Sequence, residues 1–131
     1  MKKILFTLVL AFMSLVANAQ SLVKTDDGKY SVYCTVMGYN FWGIGKVKVE
    51  LDFGDATHGK GFQSLYDETG KKIKFNTMIE VLDYMGKRGW KVAGTYYITK
   101  GPNQNVIHYL LEKRVENDSQ KSEGLALRTD E

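Results

Sequence analysis

Hydrophobic and polar positions alternate over two early stretches of the chain. In residues 29–37 (KYSVYCTVM), Tyr30, Val32, Cys34 and Val36 fall on one side and Ser31, Tyr33, Thr35 and Met37 on the other. In residues 46–53 (KVKVELDF), Val47, Val49, Leu51 and Phe53 alternate with Lys46, Lys48, Glu50 and Asp52. A strand's side chains repeat every two residues, so both stretches predict strands, the second with one wet face. Residues 62–66 and 71–75 flank the turn Asp67-Glu68-Thr69-Gly70 and predict a short hairpin. Residues 90–99 and 106–113 predict two further strands, antiparallel because the connection between them is short.

One segment changes period. From Thr77 onward, Met78, Ile79, Val81, Leu82 and Met85 form a single apolar stripe at helical spacing. Thr77 is placed to cap the helix, and Glu80 three residues on completes a capping box. Lys87 and Arg88 suit the negative end of the helix dipole. Gly89 supplies the left-handed C-terminal cap, with Trp90 next into the core. The reading is therefore an α+β domain over residues 29–114. It is an antiparallel sheet of four to five strands with one amphipathic helix packed on one face. The other sheet face is rich in tyrosine and lysine and suits docking.

The ends read differently. Met1-Lys2-Lys3, the apolar run at 4–16 and the small residues of Ala17-Asn18-Ala19 predict a signal peptide cleaved after Ala19. The run is too short to span a bilayer, which takes about 20 apolar residues. The expected location is periplasmic or secreted, with residues 20–28 a linker. Residues 115–131 (VENDSQKSEGLALRTDE) offer little to bury and predict a disordered polar tail.

Charge narrows the classes of partner. The full chain carries 18 basic and 15 acidic residues. Trimming removes Lys2 and Lys3 and no acid, which leaves 16 against 15. Such a balance argues against a nucleic-acid binder. Within it, residues 29–114 hold 13 basic and 8 acidic side chains, and Lys71, Lys72, Lys74, Lys87, Arg88 and Lys91 are candidates for a basic cluster. The single cysteine rules out a disulfide within the chain.

Candidate chemistry is sparse. Asp52, Asp55 and His58 recur at three-residue steps, and carboxylate with imidazole suits a divalent metal, but the spacing matches no established metal loop. Cys34, with His58 or His108 as base, has the groups of a thiol nucleophile, yet its mid-strand position suits a small core hydrophobe better. His108 sits on a strand, where a histidine is usually a hydrogen-bonded core or edge residue. Asp52-Phe53-Gly54 spells the kinase magnesium motif without any other kinase element. The glycine pairs at 43–45 and 59–61 are too sparse for a phosphate cradle. Tyr39, Phe41 and Trp42, in a glycine-flanked connection, either cap the core or form a contact surface.

Residues 78–114 resemble a bacterial domain family of unknown function. Its members carry an amphipathic helix, a Gly-Trp step, a strand, a turn and a last strand ending near Leu-Lys-Arg. The corresponding run here is residues 81–90 (VLDYMGKRGW) and 110–114 (LLEKR), with Lys91 where the family commonly has an acid. The wider layout, in residues 30–34, 46–54 and 73–76, is similar to small exported proteins of Bacteroidetes and covers most of 29–114. The resemblance implies the fold and the export, and no activity. The functional expectation is a non-enzymatic exported binding or interaction module. It has no cofactor, and its partner is another envelope protein or a glycan. A small metal- or Cys-dependent hydrolase and an electrostatic binder of anionic envelope polymers are the alternatives.

Overall fold

The computed structural model describes residues 27–39, 46–57, 60–99, 102 and 105–129. In chain order the elements are β1 (Tyr30–Tyr39), β2 (Lys48–Asp52), β3 (Gln63–Tyr66), α1 (Met78–Gly86), β4 (Lys91–Thr99) and β5 (Asn105–Val115). A short 3-10 helix (Asp118–Ser122) and β6 (Ala126–Thr129) follow. The strands form one six-stranded sheet in the order β4-β5-β1-β2-β3-β6, with every pair antiparallel. Six strands replace the four to five that patterning predicts. The extra one lies in the segment expected to be a disordered tail. Residues 116–129 instead make the 3-10 helix and an edge strand paired with β3 from Gln63↔Thr129 to Tyr66↔Ala126.

Alternation sets the buried face. β1 and β5 pair from Tyr30↔Val115 to Met37↔His108, so Cys34 lies opposite Leu111. Val32, Cys34, Val36, Val49, Leu51, Leu111 and Val115 are buried together, with Val81 and Met85 of α1 and Trp90 in the same apolar cluster. The ring of Phe53 meets Trp90 edge-on, with centroids 5.9 Å apart at 71°. On the reverse face, Met37, His108 and Tyr96 line up across β1, β5 and β4 through the pairs Met37↔His108 and Tyr96↔His108. Met37 and His108 are buried there, and the Tyr96 ring stacks on the His108 imidazole at 4.8 Å.

The helix is shorter than its sequence pattern. It covers Met78–Gly86, so Lys87 and Arg88 lie in the turn beyond it and not in its last turn. Ile79, counted in the apolar stripe, is 65% exposed; with 100° per residue it points away from the Val81–Met85 line. Thr77 caps the start as expected, its hydroxyl accepting from the Glu80 amide at 3.3 Å. The Glu80 carboxylate reaches back one residue further than a capping box, taking the Asn76 amide at 2.7 Å. At the other end the Trp90 amide donates to the Met85 carbonyl and the Gly89 amide to that of Gly86, both at 3.1 Å. This is a Schellman closure, and it needs the φ of +92° that Gly89 adopts.

Between β2 and β3 the ladder nearly fails. Their sole register pair is Leu51↔Gln63. The predicted return strand at 71–75 is reduced to two isolated bridges, Tyr66↔Lys72 and Val47↔Phe75. The sheet therefore opens between β2 and β3 into a cavity of about 290 Å³ floored by Val47, Val49, Leu65 and Phe75.

Candidate functional site

The larger cavity, about 410 Å³, lies where the end of α1, the start of β1 and the end of β5 meet the 3-10 segment. Its basic lining comes from Lys29, Lys87, Arg88, Lys113 and Arg114, its acids from Glu116 and Glu123. Three of the cations, Arg88, Lys113 and Arg114, have fixed partners. The Ser31↔Arg114 pair brings Arg114 beside the start of β1. Its guanidinium bonds the Lys29 carbonyl at 3.1 Å and pairs with Asp27 at 2.9 Å. The Schellman turn throws Arg88 back over α1, where it donates to the Tyr84 carbonyl at 2.8 Å and lies 3.5 Å from the Tyr84 ring centroid. Arg88 Nε also donates to the Gly124 carbonyl at 2.7 Å, and Lys113 Nζ to the Gln120 carbonyl at 2.7 Å.

These partners fix the electrostatics. Arg88 and Lys113 are held by backbone carbonyls, which orient a cation without cancelling its charge. The cavity lining thus keeps a cationic excess, five basic side chains against two acidic ones. An open cationic recess favours an anion with several charges over a neutral ligand. The Tyr30 hydroxyl, donating to Asp118 at 2.5 Å, fastens the 3-10 segment to β1. That carboxylate holds the Tyr30 proton in place and pushes its pKa above the ordinary phenol value.

The basic residues singled out in the sequence do not form one cluster. Lys87 and Arg88 line this cavity. Lys72 and Lys74 join Lys46 and Lys48 around the opening between β2 and β3, where the Lys46 ammonium bonds Asn76 and Lys48 pairs with Glu50 at 3.3 Å. Lys71 and Lys91 line neither. Lys29, Lys113 and Arg114 are not among the sequence candidates, because the β1–β5 register is needed to set Lys29 near Arg114 and the β4–β5 register, with Lys91 opposite Glu112, to set Lys113 beside the turn that carries Lys87 and Arg88.

Other candidates find structural roles. The Asp52 carboxylate accepts from the Gly54 amide at 2.8 Å and the Ala56 amide at 3.2 Å, closing the turn after β2. Asp55 is exposed, and His58 lies outside the described residues. Among the described residues no group of three or more His, Cys, Asp or Glu side chains gathers to hold a metal. Cys34 is 2% exposed. Burial, then the nearby Asp52 charge, pushes its thiol up to about 12. His108 Nδ1 is 3.2 Å from the Val106 carbonyl. Tyr39 is half-buried, with its hydroxyl on Met37 Sδ at 3.9 Å, while Phe41 and Trp42 lie outside the described residues. No helix among the described residues is long and apolar enough to cross a membrane. Compared with known proteins, the chain matches no family model, no curated protein and no solved structure.

Proposed function

We propose that this chain is an exported, non-enzymatic binding module that holds an anionic partner in the Lys29–Lys87–Arg88–Lys113–Arg114 recess. Residues 1–19 direct its export to the periplasm or beyond and are removed after Ala19. α1 lies on one face of the sheet, with Val81 and Met85 directed into the core, and its C-terminal turn forms one wall of the recess. The observation that carries the reading is a set of cations fixed by carbonyl hydrogen bonds beside a 410 Å³ opening. Support for a non-enzymatic role comes from the groups most suited to chemistry. Asp52 spends its oxygen on loop amides, and Cys34 keeps its proton far above physiological pH.

The partner is a polyanion, such as an acidic glycan of the envelope, since a recess of this charge adds up contacts along a repeating anionic chain. Heparin-agarose is the probe. The protein beginning at Gln20 is loaded and eluted with a salt gradient, beside Lys87→Glu and the charge-matched Lys71→Glu, whose residue lies outside the recess. The expected result is retention of the parent and Lys71→Glu, with Lys87→Glu eluting at clearly lower salt. Equal elution of the two variants reduces the effect to net charge and overturns the reading. An N-terminus other than Gln20 on exported protein overturns the cleavage.

A further inference from the structure

Alternation divides the opening between β2 and β3 into two zones. Along one wall, Val47 and Val49 are buried while Lys46 and Lys48 are exposed. The facing segment repeats the pattern, with Ile73 half-buried, Phe75 buried, and Lys72 and Lys74 exposed. Neighbouring side chains of an extended chain point to opposite faces. The apolar residues, joined by Leu65, therefore lie on the core side, and the four lysines stand around the mouth. Among the described residues the lining contains no acid and no arginine.

The backbone closes this opening at both ends. Leu51 pairs with Gln63 at one end, and at the other the Val47 amide donates to the Phe75 carbonyl at 2.8 Å. From Val47 to Leu51 the chain advances roughly 13 Å. Opposite, the Ile73 amide donates to the Leu65 carbonyl at 2.9 Å and ties the far wall together. A further strand cannot run through a slot stopped at both ends, so an occupant enters end-on. Volume sets its size. An engineered cavity of about 150 Å³ takes up benzene, so one of about 290 Å³ holds a single tail of about ten carbons. We propose that this opening binds a medium-chain fatty-acid anion, with its tail on Val49, Leu65 and Phe75 and its carboxylate among the lysines of the mouth.

Each part of the lining excludes a competitor. A neutral tail gains nothing from ammonium groups at the entrance, whereas a carboxylate there is charge-matched. An acidic sugar would press hydroxyls onto Val49, Leu65 and Phe75 and leave them without partners. A two-tailed phospholipid exceeds the volume. Part of the lysine charge is already answered, since Lys48 pairs with Glu50 at 3.3 Å and Lys46, bonded to Asn76, interacts with the Glu80 carboxylate. The mouth therefore suits a head of single charge. This site shares no lining residue with the Lys29–Arg114 recess, so each stands or falls without the other.

An NMR titration of amide shifts in the protein beginning at Gln20 tests this, with decanoate kept below its micelle concentration. Acetate, decanol and decyl phosphate are the comparison probes. Lys74→Glu reverses a charge at the mouth, and Lys87→Glu reverses one in the other recess. Both replaced side chains are exposed, and circular dichroism verifies that each variant folds. The expected result is saturable decanoate binding below millimolar, with shifts centred on 47–49, 65 and 72–75. Acetate, decanol, and decanoate on Lys74→Glu should each bind at least about fivefold more weakly, and Lys87→Glu should match the parent. No saturable shift at these amides overturns the proposal. Decanol held as tightly as decanoate, or Lys74→Glu no weaker than Lys87→Glu, removes the lysines from recognition and overturns it too. Tighter binding of decyl phosphate would name a different head group and overturn the assignment to a fatty acid. Shifts centred on the exposed Tyr96 and Tyr97 would show adsorption at β4 and place the contact elsewhere, which also overturns it.

Discussion

The Trp90 amide donates to the Met85 carbonyl at 3.1 Å, and both side chains are buried in the same core. One hydrogen bond therefore fixes where α1 ends and where β4 begins. The closure passes through Gly89 at a φ of +92°, and a β-carbon there would lie 3.1 Å from Lys113 Cε. Gly89→Val combines backbone strain with displacement of Lys113. A destabilisation of about 1–2 kcal/mol is expected. Urea unfolding should show a lower midpoint at unchanged slope, as for a change confined to native-state stability.

Cys34 gives a reactivity prediction. Its thiol is raised from the ordinary 9.0 to about 12 by burial and then by Asp52. At pH 8 the native protein should resist alkylation and thiol-disulfide exchange, since the thiolate is the attacking species. Denaturant should expose one thiol per chain. The sign for stability follows, because a raised folded pKa means the native state holds its proton more tightly. That contribution is intact below pH 9 and is lost as pH rises toward 12. Rapid labelling of folded protein at pH 8 would contradict this burial. A non-reducing gel of the native protein should accordingly show no disulfide-linked dimer.

Legibility in the sequence followed the range of the interaction. The β1 and β2 alternation, the Thr77 cap and the Gly89-Trp90 closure are local, and the residues that form them sit within a few positions of one another. Ile79 was misplaced because an apolar residue adjacent in sequence to the stripe is still 100° around the helix from Met78. β6 was missed for a different reason. Within 115–131 just three large aliphatic side chains, Val115, Leu125 and Leu127, stand among acids and serines, too few to show a period. Val115 is placed opposite Tyr30 of β1 and Leu127 opposite Leu65 of β3, both distant in sequence. The recess was illegible in the same way. Lys87 and Arg88 were visible as a pair, but Lys29 and Arg114 are 85 positions apart and meet through register alone.

Acid should weaken the fold through two exposed carboxylates. Asp67 is lowered from the ordinary 3.8, chiefly by the hydroxyl of Thr69 and then by the Lys71 amide. Glu80 is lowered from 4.5 by the Asn76 backbone amide and then by its side-chain amide. A depressed folded pKa contributes stability above the unfolded value, and that stability disappears as pH falls through the folded one. Asp67→Asn and Glu80→Gln should each be less stable than the parent at pH 7. The gap should close below about pH 4 as the parent's own carboxylates take up protons. Thermal melts across pH 2–7 read this, and a gap that persists at pH 2 would assign the loss to something other than charge.

Removing residues 116–131 tests how far the polar C-terminal segment belongs to the fold. Leu125 and Leu127 pack against the core cluster, and β6 covers the edge of β3 along four register pairs. The same segment supplies the Gly124 and Gln120 carbonyls that orient Arg88 and Lys113. Truncation strips half-buried leucines from the core and opens the β3 edge. A loss of about 2 kcal/mol or more is expected from the apolar area alone. Two controls separate structure from charge. Leu127→Ala removes core contact while leaving every ionisable group in place, and should lose part of the same stability. Arg128→Gln removes a charge at an exposed position and should cost little. The truncation also removes five acids and two bases, among them Glu116 and Glu123 of the recess, so heparin retention is compared with that of the full-length Glu116→Gln, Glu123→Gln variant. The truncated chain, although more basic overall, should elute at lower salt than that variant, because Arg88 and Lys113 lose the carbonyls that hold them; equal or stronger retention would mean that these two cations bind without being positioned by the C-terminal segment.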